Sequence, residues 1–238
     1  MRPYAVGTWV AVLSLVAAMA SLQLAAAMAK QLFAVVGVLE TTFIRLAIAA
    51  IIMALMLRPW RATINSANWR PLVLYGASLA GMNGMFYLAI DLLPLGIATA
   101  VQFLGPLSVA VLGSRRRIDL VWSALAAAGL LLITEVFDTM ERINLVGLGW
   151  ALGGAVCWAL YIVFGQHAGR GNGVQTAALG MALAAVFTLP FGVSHMSIDT
   201  YTGPVLLMLL AVAILSAVIP YTLEMVGLRA LPARRLGS

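Results

Sequence analysis

Charge is what this sequence lacks. Of its 238 residues only 9% are Asp, Glu, Lys or Arg, against about 25% in an ordinary soluble domain. With 63% hydrophobic residues and a mean hydropathy of +1.03, the chain carries more apolar surface than a soluble core of this size can hide. Cysteine is reduced to Cys157, which excludes an intrachain disulfide and any thiol pair for metal or redox chemistry; it reads as a small packing residue. The two histidines, His167 and His195, fall at the ends of apolar runs. No His-Glu-x-x-His, Walker or dinucleotide glycine pattern is present. Intramembrane hydrolysis would need a Ser/His or Asp pair at mid-membrane depth, and none is found. The expectation is a protein that is not an enzyme and has no cofactor.

What the chain has instead is a series of apolar runs of roughly 18 to 22 residues, each long enough to cross a hydrocarbon layer about 30 Å thick as a helix. Barrel strands would alternate, whereas Ala, Leu, Val and Gly run on here without alternation. The fold class expected is all-α membrane protein, with about eight spans at 8–28, 37–57, 71–91, 96–113, 119–136, 146–166, 174–194 and 204–226. The gaps between spans leave no room for a separate soluble domain.

The formal charge of +6 does not point to nucleic acid, because the basic residues sit in short clusters between spans and form no continuous face. With a cytoplasmic N-terminus, Arg2, Arg58, Arg61, Arg70, Arg115, Arg116, Arg117, Arg170, Arg229, Arg234 and Arg235 all lie inside. Lys30 and Arg142 lie outside, together with Asp91, Asp138, Glu141 and Asp199. That asymmetry sets the orientation. Arg2, the apolar stretch after it and Ala25-Ala26-Ala27 also imitate a signal peptide, but the run is longer than a signal core and the repeat below requires it as a helix.

Self-similarity is weak but ordered. At a shift of 135 residues, Glu40–Ala50 lies over Gln175–Ala185 and matches at Thr41, Ala47, Ala49 and Ala50. At a shift of 138, Ser78 falls on Ser216 and Leu93-Pro94 on Leu231-Pro232. Both shifts pair spans five apart, second with seventh and third with eighth. Five is odd, so the copies enter the membrane from opposite sides, which is the inverted repeat of secondary transporters. The expected domains are a first five-helix repeat at 1–138 and a second at 139–238 that stops after its third helix, two helices short of an inferred ten.

Several stretches carry a resemblance: Met19-Ala-Ser-Leu-Gln23, Arg45-Leu-Ala47, Tyr75-Gly-Ala-Ser-Leu-Ala-Gly-Met-Asn83, Pro94-Leu-Gly-Ile-Ala98, Gly105-Pro-Leu107, Ser114-Arg-Arg116, Cys157-Trp-Ala159, and Ile214-Leu-Ser216 with Pro220-Tyr-Thr-Leu-Glu-Met225. Together they resemble the EamA branch of the drug/metabolite transporter superfamily, and within it the threonine/homoserine exporters. The resemblance implies ten helices, a bacterial inner membrane and export of small neutral amino acids in exchange for protons. It also implies an acidic residue where this chain has Gln102. Besides substrate, protons and lipid, a homodimer is compatible with this plan. Composition leaves other readings open: export of drugs, nucleosides or other metabolites, or a scaffold or receptor that transports nothing.

Ionisable groups within spans are the first functional candidates, because each costs several kcal/mol unless paired or wetted. Arg45 stands about 12 Å into the second span, where its forked guanidinium suits the carboxylate of a zwitterion. Glu40, about 140° around the same helix, is too far round to pair with it directly but could line the outward mouth. Glu224 is a candidate inner proton site. The neutral candidates are Gln23, Asn83, Tyr87, Thr99, Gln102, Tyr161 and Tyr221, with Asn83 and Gln102 foremost because an amide meets both ends of an amino acid. Trp158 and Tyr161 share one face of the sixth span and could line the pathway. Gly149 with Gly153, and Gly76 with Ala80, form small-residue faces for close helix packing. Pro106, Pro190 and Pro220 lie within spans, where each frees a carbonyl and bends the helix.

Overall fold

The structure, a computed structural model, describes residues 3–62, 64, 68–113, 144–169, 173–194, 196, 200–220 and 222–223. The helices are α1 (Pro3–Val36), α2 (Val38–Leu57), α3 (Trp69–Leu92), α4 (Leu95–Gln102), α5 (Leu104–Gly113), α6 (Leu145–Ala168), α7 (Gly173–Gly192) and α8 (Gly203–Ala213), the last running into a π-helical turn at Ile214–Val218. No strand occurs among the described residues. Six helices there are long and apolar enough to cross a membrane, with α4 and α5 together counting as one, and Gly203–Val218 is a shorter apolar seventh. The predicted span at 119–136 lies outside the described residues, as do the ends of the eighth beyond residue 223.

The hydropathy reading placed the remaining spans well, apart from the first. It ended that span at 28, before Lys30, whereas α1 continues to Val36. Lys30 is tolerated because its side chain reaches outward and its Nζ donates to the carbonyl of Leu93 at 3.1 Å. Ala25, Ala26 and Ala29 of the same helix are buried in the largest hydrophobic cluster, beside Phe33, Ile90, Leu93 and Leu209. Removing this segment as a leader would empty that cluster. The chain reverses on Gly37 alone, whose φ of +93° is closed to most side chains.

Three of the packed helix pairs run antiparallel: α2 with α7, α3 with α6 and α1 with α8. Gly192, at the end of α7, faces Phe43 near the start of α2. Along α6, Gly147 meets Leu92 and Leu93, Gly154 meets Met85 and Phe86, and Gly165 meets Tyr75, so α6 descends α3 as α3 rises. Ser21 of α1 donates to the carbonyl of Leu215 at 2.6 Å, while Phe33 shares a cluster with Tyr201 and Val205. Thus α1 and α8 also oppose each other. Large side chains such as Leu55, Leu112, Leu145 and Leu207 point out of the bundle, as lipid-facing residues do.

The small-residue faces need one correction. Gly76 does lie against Leu183 of α7, with Ala80 buried beside it, but a Cβ on Gly149 would meet nothing within 4 Å among the described residues. Close packing of α6 falls to Gly147, Gly153, Gly154 and Gly165 instead, because α3 crosses the other side of that helix. Cys157 packs as expected, its Sγ 4.0 Å from Met85 Sδ.

Candidate functional site

Arg45 is 4% exposed at the centre of the bundle. Its Nη1 donates to Ser216 Oγ at 3.0 Å and its Nη2 to Asn83 Oδ1 at 2.5 Å, and the guanidinium carbon lies 4.8 Å from the centre of the Tyr87 ring. All three partners are neutral. Its Nε is buried with no hydrogen-bond partner among the described residues. A desolvated cation whose contacts supply no negative charge is costly to hold, and an anion arriving beside it would relieve that cost.

The space for one is present. A cavity of about 320 Å³ opens beside Arg45, lined by Met19, Leu22, Gln23 and Ala26 of α1, by Met82, Asn83, Phe86 and Tyr87 of α3, by Thr99, Gln102 and Phe103, by Trp158 of α6 and by Ser216. Trp158 leans on Phe103, ring centres 5.2 Å apart, making one aromatic wall. Most polar side chains here are already tied down. Asn83 Nδ2 donates to Leu79 O at 2.8 Å, and Thr99 Oγ1 to Leu95 O at 2.7 Å.

Two prolines shape this wall. A proline cannot donate to the carbonyl four residues before it, and for Pro106 that residue is Gln102, for Pro220 it is Ser216. The chain breaks between α4 and α5 at Phe103, next to Gln102, and widens into the π turn around Ser216. Both interruptions border the cavity, where π turns and broken helices are characteristic of functional positions. Pro190 lies inside α7, away from it.

Of the residues singled out from sequence, Arg45, Asn83, Tyr87, Gln102 and Trp158 thus come together, with Gln23 and Thr99. Ser216 and Phe86 join them, neither of which was chosen as a site residue. The signal for Ser216 was Pro220 one turn on. Tyr161 goes elsewhere: it stacks on Tyr75 with ring centres 4.8 Å apart and hydroxyls 3.3 Å apart. Tyr221 and Glu224 lie outside the described residues.

Glu40 is buried at the Gly37 end of the bundle, where its Oε1 accepts a hydrogen bond from the hydroxyl of Tyr201, just before α8. Burial, then the hydrogen bond to Glu40 and that carboxylate's charge, raise the Tyr201 pKa above the usual phenol range, so the phenol remains a donor. Tyr201→Phe deletes the donor and leaves a buried carboxylate short of a partner, a loss of about 1–3 kcal/mol. Thermal unfolding in detergent should show the midpoint falling by several degrees, and an unchanged midpoint would remove the pair from the account of stability.

A second cavity of about 510 Å³ lies between α2, α3, α6 and α7, lined by Leu39, Ala80, Gly84, Leu88, Trp150 and Phe187 among others. Its threonines, Thr42 and Thr188, return their hydroxyls to their own helices, so this space offers a polar solute little.

Comparison with known proteins identifies relatives of the chain. The EamA-like transporter family matches residues 145–238. The threonine/homoserine exporter RhtA of Escherichia coli strain K12 is 42% identical over 230 residues, 97% of this chain and 78% of its own length. Its counterpart in Salmonella typhimurium strain LT2 is equally similar over the same extent. No solved structure matches the chain. A multi-pass helical protein that matches the family over residues 145–238 and is 42% identical to a threonine/homoserine exporter along 97% of its length belongs to the EamA-like transporter family.

Proposed function

We propose that this chain is a secondary transporter of the bacterial inner membrane that exports small neutral amino acids of the threonine and homoserine kind by alternating access, in exchange for protons. The observation that carries the reading is the Arg45 guanidinium, held on a cavity of about 320 Å³ by partners that, among the described residues, are all neutral. A zwitterion's carboxylate completes that set through a forked, charge-assisted hydrogen bond, and the relatives' names indicate which amino acids to try first. A membrane potential of 100 mV supplies about 2.3 kcal/mol per charge, enough for accumulation of several tens of fold.

Helix pairing supports the inverted repeat and the ten-helix plan behind it. Exchanging each helix for the one five spans away turns the α3–α6 pair into α8–α1 and the α2–α7 pair into itself, and all of these are packed and antiparallel. The arginine distribution favours a cytoplasmic N-terminus, which puts Gly37, Glu40 and Tyr201 on the outer side. Single cysteines at Val38 and Ala177, in a chain lacking Cys157, should then label from opposite faces with an impermeant reagent; labelling from one face would end the inverted reading.

The direct test is counterflow of labelled threonine and homoserine in proteoliposomes. Uptake driven by unlabelled substrate is expected, with alanine and serine tried alongside. Export of nucleosides or drugs in its place would transfer the substrate assignment to the other reading, and absence of any flux would leave a scaffold or receptor.

A further inference from the structure

An amino acid in this cavity must also place its ammonium group, and none of the described lining residues is acidic. The neutral acceptors among the described lining side chains are Gln23, exposed on α1, and a few buried groups. Asn83 Oδ1 is taken by Arg45, and Ser216 Oγ accepts from Arg45 with the carbonyl of Ala213 3.5 Å away. Thr99 spends its proton on Leu95, leaving a hydroxyl lone pair.

Gln102 differs. It is 6% exposed, and its Nε2 donates to the carbonyl of Met82 at 3.2 Å. The same nitrogen lies 3.3 Å from where a Cβ on Gly154 would stand, so the amide nitrogen is wedged between α3 and α6. Flipping the amide would set its oxygen against the Met82 oxygen, two acceptors face to face, which fixes the assignment. The end left to serve the cavity is the carbonyl oxygen.

We infer that Gln102 Oε1 accepts a hydrogen bond from the α-ammonium of the substrate and so distinguishes an amino acid from a carboxylic acid of the same shape. The inference rests on the reading of Arg45 as the carboxylate site. Position supports it: Arg45 is held by the side chain of Asn83 and Gln102 by the carbonyl of Met82, consecutive residues whose Cα atoms are about 3.8 Å apart. Both groups line the one cavity, as a carboxylate and an ammonium carried on one carbon require.

The experiment compares homoserine with 4-hydroxybutyrate, the same skeleton without the amino group, as competitors in counterflow by the full chain. Wild-type protein should prefer homoserine by tenfold or more. Gln102→Met, close in shape and without an acceptor oxygen, should weaken homoserine about tenfold while 4-hydroxybutyrate stays within twofold. Gln102→Glu, which keeps acceptor oxygens, should retain the preference for homoserine, and it carries the test should the methionine variant not fold. Equal weakening of both compounds in Gln102→Met, or loss of the preference in Gln102→Glu, would overturn the inference. Wild-type protein that takes both compounds equally would overturn it too while leaving the Arg45 reading intact, and recognition of neither would overturn both.

Discussion

Arg45→Gln should abolish counterflow of threonine and homoserine, by a hundredfold or more, and yield a protein at least as stable as the parent. The two halves of that expectation come from one feature. Arg45 is buried, yet its contacts are a hydroxyl, an amide oxygen and a ring face, with Nε unpartnered among the described residues. Replacing a cation that has a carboxylate partner strands the partner and costs several kcal/mol. Among the described residues no opposite charge is stranded, and the replacement removes a burden of about 2.5–3.5 kcal/mol for a charge at mid-membrane depth. Glutamine also leaves Ser216 and Asn83 a donor. A residue retained at a cost in stability is retained for what it binds. Arg45→Lys keeps the charge but loses the fork, so it should fold, with flux reduced tenfold or more. Thermal unfolding in detergent and counterflow on the same preparations check both halves. A large drop in stability with unchanged flux would make Arg45 a structural brace and remove it from the pathway.

Arg45 was legible in the sequence because an ionisable group inside an apolar run is conspicuous against its surroundings. The spans were legible for the same reason, and so were the prolines and the carbonyls they free, though not that two of these would border one cavity. What a helix face meets depends on its neighbour, and that was hidden. Trp158 and Tyr161 stand three residues apart on α6, yet one leans on Phe103 and the other on Tyr75, because α6 crosses the α4–α5 break at one level and α3 at the next. Glu40 and Arg45 are on one helix but 140° apart, and the angle already separated them; the partner it found, Tyr201, lies 161 positions away. Ser216 looked like an ordinary hydroxyl until the π turn set it against a guanidinium. The glycine faces failed at Gly149 because spacing identifies a smooth stripe without saying which side another helix takes.

That distinction sets the second large effect, at Gly105. A Cβ there would stand 2.2 Å from the carbonyl oxygen of Ala155, 3.0 Å from its carbonyl carbon and 3.2 Å from Trp158 Cβ. The obstacle is backbone, which has no rotamer to yield, so even Gly105→Ala must push α5 off α6 by about an ångström to restore ordinary contact. Overpacking of this kind costs roughly 1–3 kcal/mol, and Gly105→Val, bulkier and branched, should sit at the upper end or fail to fold. The displacement is also functional, since α5 follows Phe103, whose ring rests on Trp158 to form the aromatic wall of the cavity. Gly105→Ala should therefore lower flux severalfold with Arg45 untouched. Gly149→Ala is the matched comparison: nothing among the described residues lies within 4 Å of its added carbon, and alanine is the better helix former by about 1 kcal/mol. It should be neutral or mildly stabilising. Melting midpoints that fell equally for the two would mean that the loss belongs to helix bending and not to the α5–α6 contact.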